Sequence, residues 1–351
     1  MTWQDVGFWA VIIGGLGLFL FGITYLSETL KKVAGSKLRN IIAKAASNRV
    51  KGSLIGMLFT TIIQSSSGTT ALSIGLVRAG VMTFPAAIAV IIGANVGTTV
   101  TAFLISIPFG EYMPFVLFIG AFIMMITAKR SWQNASKLLF SFGAIFFGLL
   151  LMETNLKTLA AEQWFVDFLA GLTNAPWLGL LVGILVTMAL QSSSAVIGVL
   201  QGIYAASIIA AKASGAPLEI TLFGILPILF GANIGTCITA LLSCIGGSTA
   251  AKRTAFFHVL FNVSGALIFM GVIYIFQGFL TDTNSWLMAI DPKLQIALCH
   301  IVFNVGMAVL FLPLLTPITK LIEFVIKDKS SVAKDIPVSG NFLITLLSNS
   351  L

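Results

Sequence analysis

Gln64-Ser65-Ser66-Ser67 recurs as Gln191-Ser192-Ser193-Ser194, and the reading of the fold turns on this repetition. Upstream, Gly52, Gly56, Thr60 and Gln64 are spaced by four, and so are Gly179, Gly183, Thr187 and Gln191. On a helix that spacing aligns two glycines, a threonine and the glutamine along one face. Downstream, Gly93-Ala94-Asn95-Val96-Gly97-Thr98 is answered by Gly231-Ala232-Asn233-Ile234-Gly235-Thr236. Two doublets in the same order mark an internal duplication, and the duplicated part is polar.

Its surroundings are apolar. Of the 351 residues, 58% are hydrophobic and 9% charged, with mean hydropathy +1.03, far from the composition of a soluble domain. Runs long enough to cross a bilayer recur from end to end. The N-terminus carries Asp5 rather than the basic region of a signal peptide, so the first apolar segment is expected to be retained as a span. Cys237, Cys244 and Cys299 lie in apolar segments without CxxC spacing and read as small buried hydrophobes. A serine hydrolase would need a base beside its serine, and neither Gly-x-Ser-x-Gly nor a Ser–Lys arrangement occurs in the repeats, so the chain does not read as an enzyme. No low-complexity linker divides it, which predicts one integral membrane domain.

In chain order, residues 6–28 are expected to span. Residues 31–51, with seven basic residues among Val33, Leu38, Ile41 and Ile42, have the composition of a helix lying on an anionic membrane face. Residues 52–79 hold Gln-Ser-Ser-Ser near their middle. About a dozen residues on either side, at 1.5 Å rise, reach only roughly half-way through a ~30 Å core. This predicts a re-entrant helical hairpin with the serines at its tip, the competing reading being one broken span. Residues 83–107 are expected to be a span interrupted at Gly93–Gly97, and 112–128 another span. The second half replays the plan: Phe147-Gly148 and Leu156-Lys157 follow Phe21-Gly22 and Leu30-Lys31 by 126 residues. Thus 137–155 is a span, 157–172 a surface helix, 176–203 a hairpin and 221–245 a span broken at its Gly-Ala-Asn. Further spans lie near 252–278 and 295–325. The expected domains are a first inverted repeat (1–136), a second (137–279), a final span (280–326) and a cytoplasmic tail (327–351).

Charge sets the orientation. With hairpins that do not cross, each half contributes three spans, so the second repeat is inverted. Lys31 to Lys51, Lys129, Arg130, Lys137, Lys252, Arg253, Lys320, Lys327, Lys329 and Lys334 then share one side, and Asp5, Glu111, Glu162, Asp167, Glu219, Asp282 and Asp291 the other. The positive-inside rule makes the first side cytoplasmic, with the N-terminus outside and the C-terminus inside. The net charge of +8 is thereby placed at the membrane face, and no nucleic-acid partner is expected. The fold class is all-α integral membrane: an inverted-repeat secondary transporter with two re-entrant hairpins and two broken transmembrane helices.

Backbone that is not helical at membrane depth must line a cavity or be buried in protein. Helices that restart there aim free N–H groups and a positive dipole end into the site. Serine hydroxyls after each break add donors, so four elements, two from each half, can surround one anion near the midplane. The side-chain oxygens of Gln, Asn and Thr suit a hard cation such as sodium. No Asp, Glu, Lys or Arg lies inside the four motifs. An anion held by neutral donors, with co-bound cations balancing its charge, fits that absence. The echo of His258-x2-Phe261-Asn262 in His300-x2-Phe303-Asn304 reads as polar anchoring between helices rather than a proton relay.

Over about residues 14–310 the doubled Gln-Ser-Ser-Ser, each copy followed by Gly-Ala-Asn-x-Gly-Thr, resembles the type II sodium–phosphate cotransporters and their bacterial relatives. The resemblance implies symport of inorganic phosphate into the cell with sodium, by elevator-type alternating access in the plasma (cytoplasmic) membrane. Ser65, Ser66, Ser67, Ser192, Ser193 and Ser194 fall on the family's phosphate-binding motif. Gln64, Gln191, Asn95, Thr98, Asn233 and Thr236 fall on positions tied to sodium. A phosphate exporter or a passive anion channel on the same fold is the alternative. The expected partners are phosphate, sodium and the lipid bilayer, with homo-oligomerisation left open.

Overall fold

The computed structural model describes residues 3–43, 48–107, 112–159, 164, 167, 171–172, 175–215, 218, 220–282 and 285–328. Its helices are α1 (Trp3–Ala43), α2 (Arg49–Ile63), α3 (Ser66–Arg78), α4 (Phe84–Ile105), α5 (Met113–Ile126), α6 (Arg130–Leu159), α7 (Pro176–Leu190), α8 (Ser193–Ser214), α9 (Leu222–Gly235), α10 (Cys237–Ser243), α11 (Thr249–Ile275), α12 (Gln277–Thr281), α13 (Pro292–Phe311) and α14 (Leu315–Val325). A 3-10 turn at Trp286–Ala289 precedes α13, and no strand occurs among the described residues.

Among the described residues, seven stretches are long and apolar enough to cross a membrane: Gly7–Leu30, Phe84–Ile105, Arg130–Met152, Ser193–Ser214, Leu222–Ser243, Thr249–Ile275 and Pro292–Phe311. This is a multi-pass membrane protein. The expected number of spans recurs, but the set differs. Met113–Ile126, expected to span, has 14 residues, about 21 Å of helix against a ~30 Å core. Ser193–Ser214, the second leg of the second expected hairpin, has 22. The expected last span, 295–325, divides at residues 312–314 into α13 and α14.

Two further expectations are corrected. Residues 31–43 prolong α1 without interruption and 49–51 open α2, so 31–51 is not one separate surface helix. Between Glu28 and Ala43 there is no proline and a single glycine, Gly35, too little to end a helix. Lys44 lies outside the described residues. The counterpart 157–172 begins as the end of α6, and most of it, Glu162 included, also lies outside them. The second correction concerns the broken spans. α4 runs through Gly93–Gly97 as one continuous helix. Only the second copy is interrupted, and there by a single residue, Thr236, between α9 and α10.

Those glycines serve close packing instead. A Cβ on Gly56 would overlap the carbonyl oxygen of Val90, and one on Gly93 that of Ser53. A Cβ on Gly97 would come within 2.9 Å of Thr60 Cβ. In the second half Gly183 meets the Ile228 carbonyl, Gly231 the Leu180 carbonyl, and a Cβ on Gly235 would stand 2.6 Å from Thr187 Cβ. Each contact on the first leg shifts by 127 (56 to 183, 60 to 187). Each on the long helix shifts by 138 (93 to 231, 97 to 235). The duplication therefore extends to backbone-against-backbone packing of α2 on α4 and of α7 on α9. Caps repeat as well: Thr83 and Thr221 accept from Ala86 N and Gly224 N at the starts of α4 and α9, satisfying N–H groups that a helix start leaves open.

Around this pair the chain arranges two kinds of neighbour. The second legs pack across the halves: Ile74 of α3 clusters with Ala240 of α10 and Ala251 and Ala255 of α11, while Gln201 of α8 donates to the Ala102 carbonyl of α4 at 3.0 Å. At the other side α1 and α6 run antiparallel, Gly15 against Gly148 and Met152, Gly22 against Ser141 and Ile145. α5 flanks α6 and exposes Phe115, Phe118, Phe122 and Met125, a surface whose solvent is lipid. One end of the bundle collects cations. Arg49 of α2 bonds Thr316 of α14, and Arg253 of α11 bonds the Ile326 carbonyl at 2.8 Å and Asp328 at 3.3 Å.

Candidate functional site: two serine tips

Gln64 and Gln191 stop their helices in the same way. Each takes the left-handed conformation (φ 57° and 54°), and no other non-glycine among the described residues has positive φ. Each closes its helix by donating its N–H to the threonine four residues back, Thr60 or Thr187, at 2.7 Å. A non-glycine residue in this region costs of order 1–3 kcal/mol and persists where the surroundings over-determine it. Here the cost recurs at the same place in both halves.

The next residue reverses the chain. Ser65 and Ser192 are extended and cap the following helices, accepting from Gly68 N at 3.0 Å and Ala195 N at 3.2 Å. Behind each cap the first two turn residues, Ser66-Ser67 and Ser193-Ser194, offer N–H groups and hydroxyls that no other described residue takes up. Ser66 and Ser193 are 7% and 4% exposed. Two helix N-termini thus present neutral donors in shielded positions, with no ionic residue inside either motif, an arrangement that suits an anion.

The long-helix residues are tied differently. Asn95 and Asn233 donate their amides to the carbonyls of Ile91 and Leu229 in their own helices. Thr98 and Thr236 back-bond to Ala94 and Asn233. These bonds spend donors and leave lone pairs on the side-chain oxygens, compatible with a cation but not requiring one. Because the Asn233 amide nitrogen is committed, its oxygen accepts from His300 Nε2 at 3.4 Å. His258 and Asn262 of α11 and Asn304 of α13 are fully buried, and each keeps at least one polar atom without a partner among the described residues. The structure brings Gln64 to the long helix of its own half: Thr101 donates to its Oε1 at 2.6 Å. Gln191 is exposed. Thr101 and its counterpart Thr239 were absent from the sequence-based candidates. The signal that reaches them is position, since each stands one helical turn beyond Gly97 or Gly235.

A second asymmetry sits beneath the tips. Thr60 and Thr69 share a buried hydrogen bond of 2.7 Å. In the second half Val196 stands at the place of Thr69, and the Thr187 hydroxyl is buried without a partner. Val196→Thr should supply one and raise stability by about 0.5–1.5 kcal/mol. Thermal unfolding of the purified protein measures this, and an unchanged or lower midpoint counts against the pairing.

Comparison with known proteins gives the chain's family. A family profile described as Na+/Pi-cotransporter matches residues 18–154 and again 148–315. The chain is 32% identical over 324 residues to the uncharacterized protein YqeW of Bacillus subtilis (strain 168), covering 92% of this chain and 99% of that one. It is 22% identical to YjbB of Escherichia coli (strain K12), named for inorganic phosphate export, over 91% of this chain but 56% of YjbB. Sodium-dependent phosphate transport protein 2B of Homo sapiens shares 33% over 100 residues, 28% of this chain and 14% of its own. No solved structure matches. Matched twice in succession by one profile over most of its length, the chain belongs to the Na+/Pi-cotransporter family.

Proposed function

We propose that the protein is a sodium-coupled symporter that carries inorganic phosphate into the cell across the plasma membrane. The observation that carries this reading is the pair of helix starts at Ser65–Ser67 and Ser192–Ser194, with N–H groups and hydroxyls that no other described residue claims and no ionic residue inside either motif. Phosphate lies between the two tips, held by Ser65, Ser66, Ser67, Ser192, Ser193 and Ser194. Sodium ions sit alongside on oxygens of Gln64, Gln191, Asn95, Thr98, Asn233 and Thr236 and offset the anion's charge.

In this proposal α2–α3 and α7–α8 are re-entrant hairpins of two inverted repeats, 1–136 and 137–279, followed by a final span and a cytoplasmic tail. The extra turns of α8 extend beyond the membrane face, where Lys212 and Ser214 are exposed. The cationic end holding Arg49, Arg253 and α14 is cytoplasmic by the positive-inside rule, and the hairpin-bearing part moves as an elevator. Export is the second reading, favoured by the name of the Escherichia coli relative.

Purified protein in liposomes should accumulate phosphate when an inward sodium gradient is imposed at equal pH, and should not when a pH gradient alone is imposed. Accumulation from the pH gradient without sodium overturns the coupling. Current without sodium points to a channel. With the three native cysteines replaced, a cysteine at Lys129 should react with an impermeant thiol reagent only from the cytoplasmic side, and one at Asp291 only from outside. Labelling of both from one face removes the inverted topology.

A further inference from the structure

Among the differences between the two halves is one equivalent pair of side chains that joins the tip to the long helix. In the first, Thr101 donates to Gln64 Oε1 at 2.6 Å, tying the hairpin tip to α4. In the second, the Thr239 hydroxyl is shielded from solvent and has no partner among the described residues, while Gln191 is exposed and takes no side-chain hydrogen bond from them. The backbones that carry these pairs match as far as Gly97 and Gly235; beyond them α4 continues through Thr98, whereas the second copy breaks at Thr236, three residues before Thr239. Thr60 against Gly97 is repeated by Thr187 against Gly235, one turn before Gln64, Thr101, Gln191 and Thr239 respectively. Both glutamines share the left-handed φ, and both close the same hydrogen bond to the residue four back. The backbone therefore sets Gln191 on its leg as it sets Gln64, and what separates the made bond from the unmade one is the outward placement of the Gln191 side chain together with the break at Thr236.

A buried hydroxyl without a partner costs free energy unless another state satisfies it. We propose that Thr101 and Thr239 are positioning residues that latch the two tips, and that the Gln191–Thr239 latch, open in this structure, closes during the transport cycle. When closed, Thr239 donates to Gln191 Oε1 as Thr101 does to Gln64, turning the glutamine inward over its serines. Thr101 keeps the first tip latched meanwhile, so the tips open unequally. This rests on the proposal that the tips bind substrate, but its ground-state half does not.

The test compares Thr101→Val and Thr239→Val, both near-isosteric, with Thr239→Ser retaining the hydroxyl. Without substrate, T101V should lower the unfolding temperature by about 1–2 °C, as loss of one net hydrogen bond does in a chain of 351 residues. T239V should leave it unchanged or raise it. In sodium-driven phosphate flux, T239V should lose at least about fivefold in maximal rate, and T239S should restore most of it. A T239V protein destabilised as much as T101V shows the second bond made at rest and overturns the inference. Wild-type flux in a stable T239V protein overturns it as well. Should wild-type protein carry no sodium-driven phosphate in either direction, the proposed function fails and the latch loses its cycle. The two unfolding temperatures then still decide whether the halves differ at rest. If T239V does not fold, T239S with a normal unfolding temperature and wild-type rate supports the hydroxyl's role, while a stable, slow T239S counts against it.

Discussion

Alanine at Ser66 or at Ser193 should raise the phosphate concentration for half-maximal uptake by about ten- to a hundredfold. Each serine opens the helix after its tip, is almost fully buried, and has a hydroxyl that no other described residue engages. If both hydroxyls contact one phosphate, each substitution removes a hydrogen bond to a charged group, about 1.5–3 kcal/mol, and 1.4 kcal/mol corresponds to tenfold. Neither change removes the N-cap, which is the preceding serine, so folding should survive. If the two serines share one ligand, the double variant should depart from additivity. A serine that merely packs helices gives a different result: sodium-driven uptake then stays near wild type in both variants. That outcome, in well-folded protein, would falsify the shared site.

Larger still is the effect expected on folding when alanine replaces Gly93 or Gly231. The added Cβ meets a backbone carbonyl, of Ser53 in one case and of Leu180 in the other, deep inside van der Waals contact. No side chain can rotate away, so α2 must separate from α4, or α7 from α9, along the whole crossing. Overpacking usually costs about 1–3 kcal/mol where side chains can adjust. Here the backbone has to move, and the cost should exceed that range in both halves alike. Size-exclusion profiles of the extracted protein should show loss of the folded peak for each. Gly75 is the control: a Cβ there meets nothing within 4 Å, and an exposed helical Gly→Ala change gains about 0.5–1 kcal/mol. A folded, stable G93A protein would show that the crossing is looser than the structure has it.

Much of this was legible from residues alone. Membrane residence follows from composition, because sustained apolar runs have only one solvent that suits them. The duplication follows from identical motifs in identical order. The breaks at Gln64 and Gln191 were also placed, since length against membrane thickness is a one-dimensional argument. The breaks at Gly93–Gly97 and Gly231–Gly235 were misplaced because glycine has two uses, a bend in the backbone or room for another backbone, and local sequence does not distinguish them. The partner helix does: α2 and α7 come close enough that only glycine fits, so α4 passes through intact and the second copy breaks at one residue. Likewise, periodicity reports that Thr187 and Gln191 share a face, but not which side chain from another helix meets that face. Val196 in place of Thr69, and the Gln64–Thr101 bond beside an unmade Gln191–Thr239 bond, are contacts between segments distant in the chain. Sequence determined the membrane class, the repeat and the serine tips, because each depends on neighbours along the chain. Tertiary structure alone decided that two halves carrying the same motifs hold their tips differently, because hydrogen bonds across helices depend on distances that no spacing in the chain specifies.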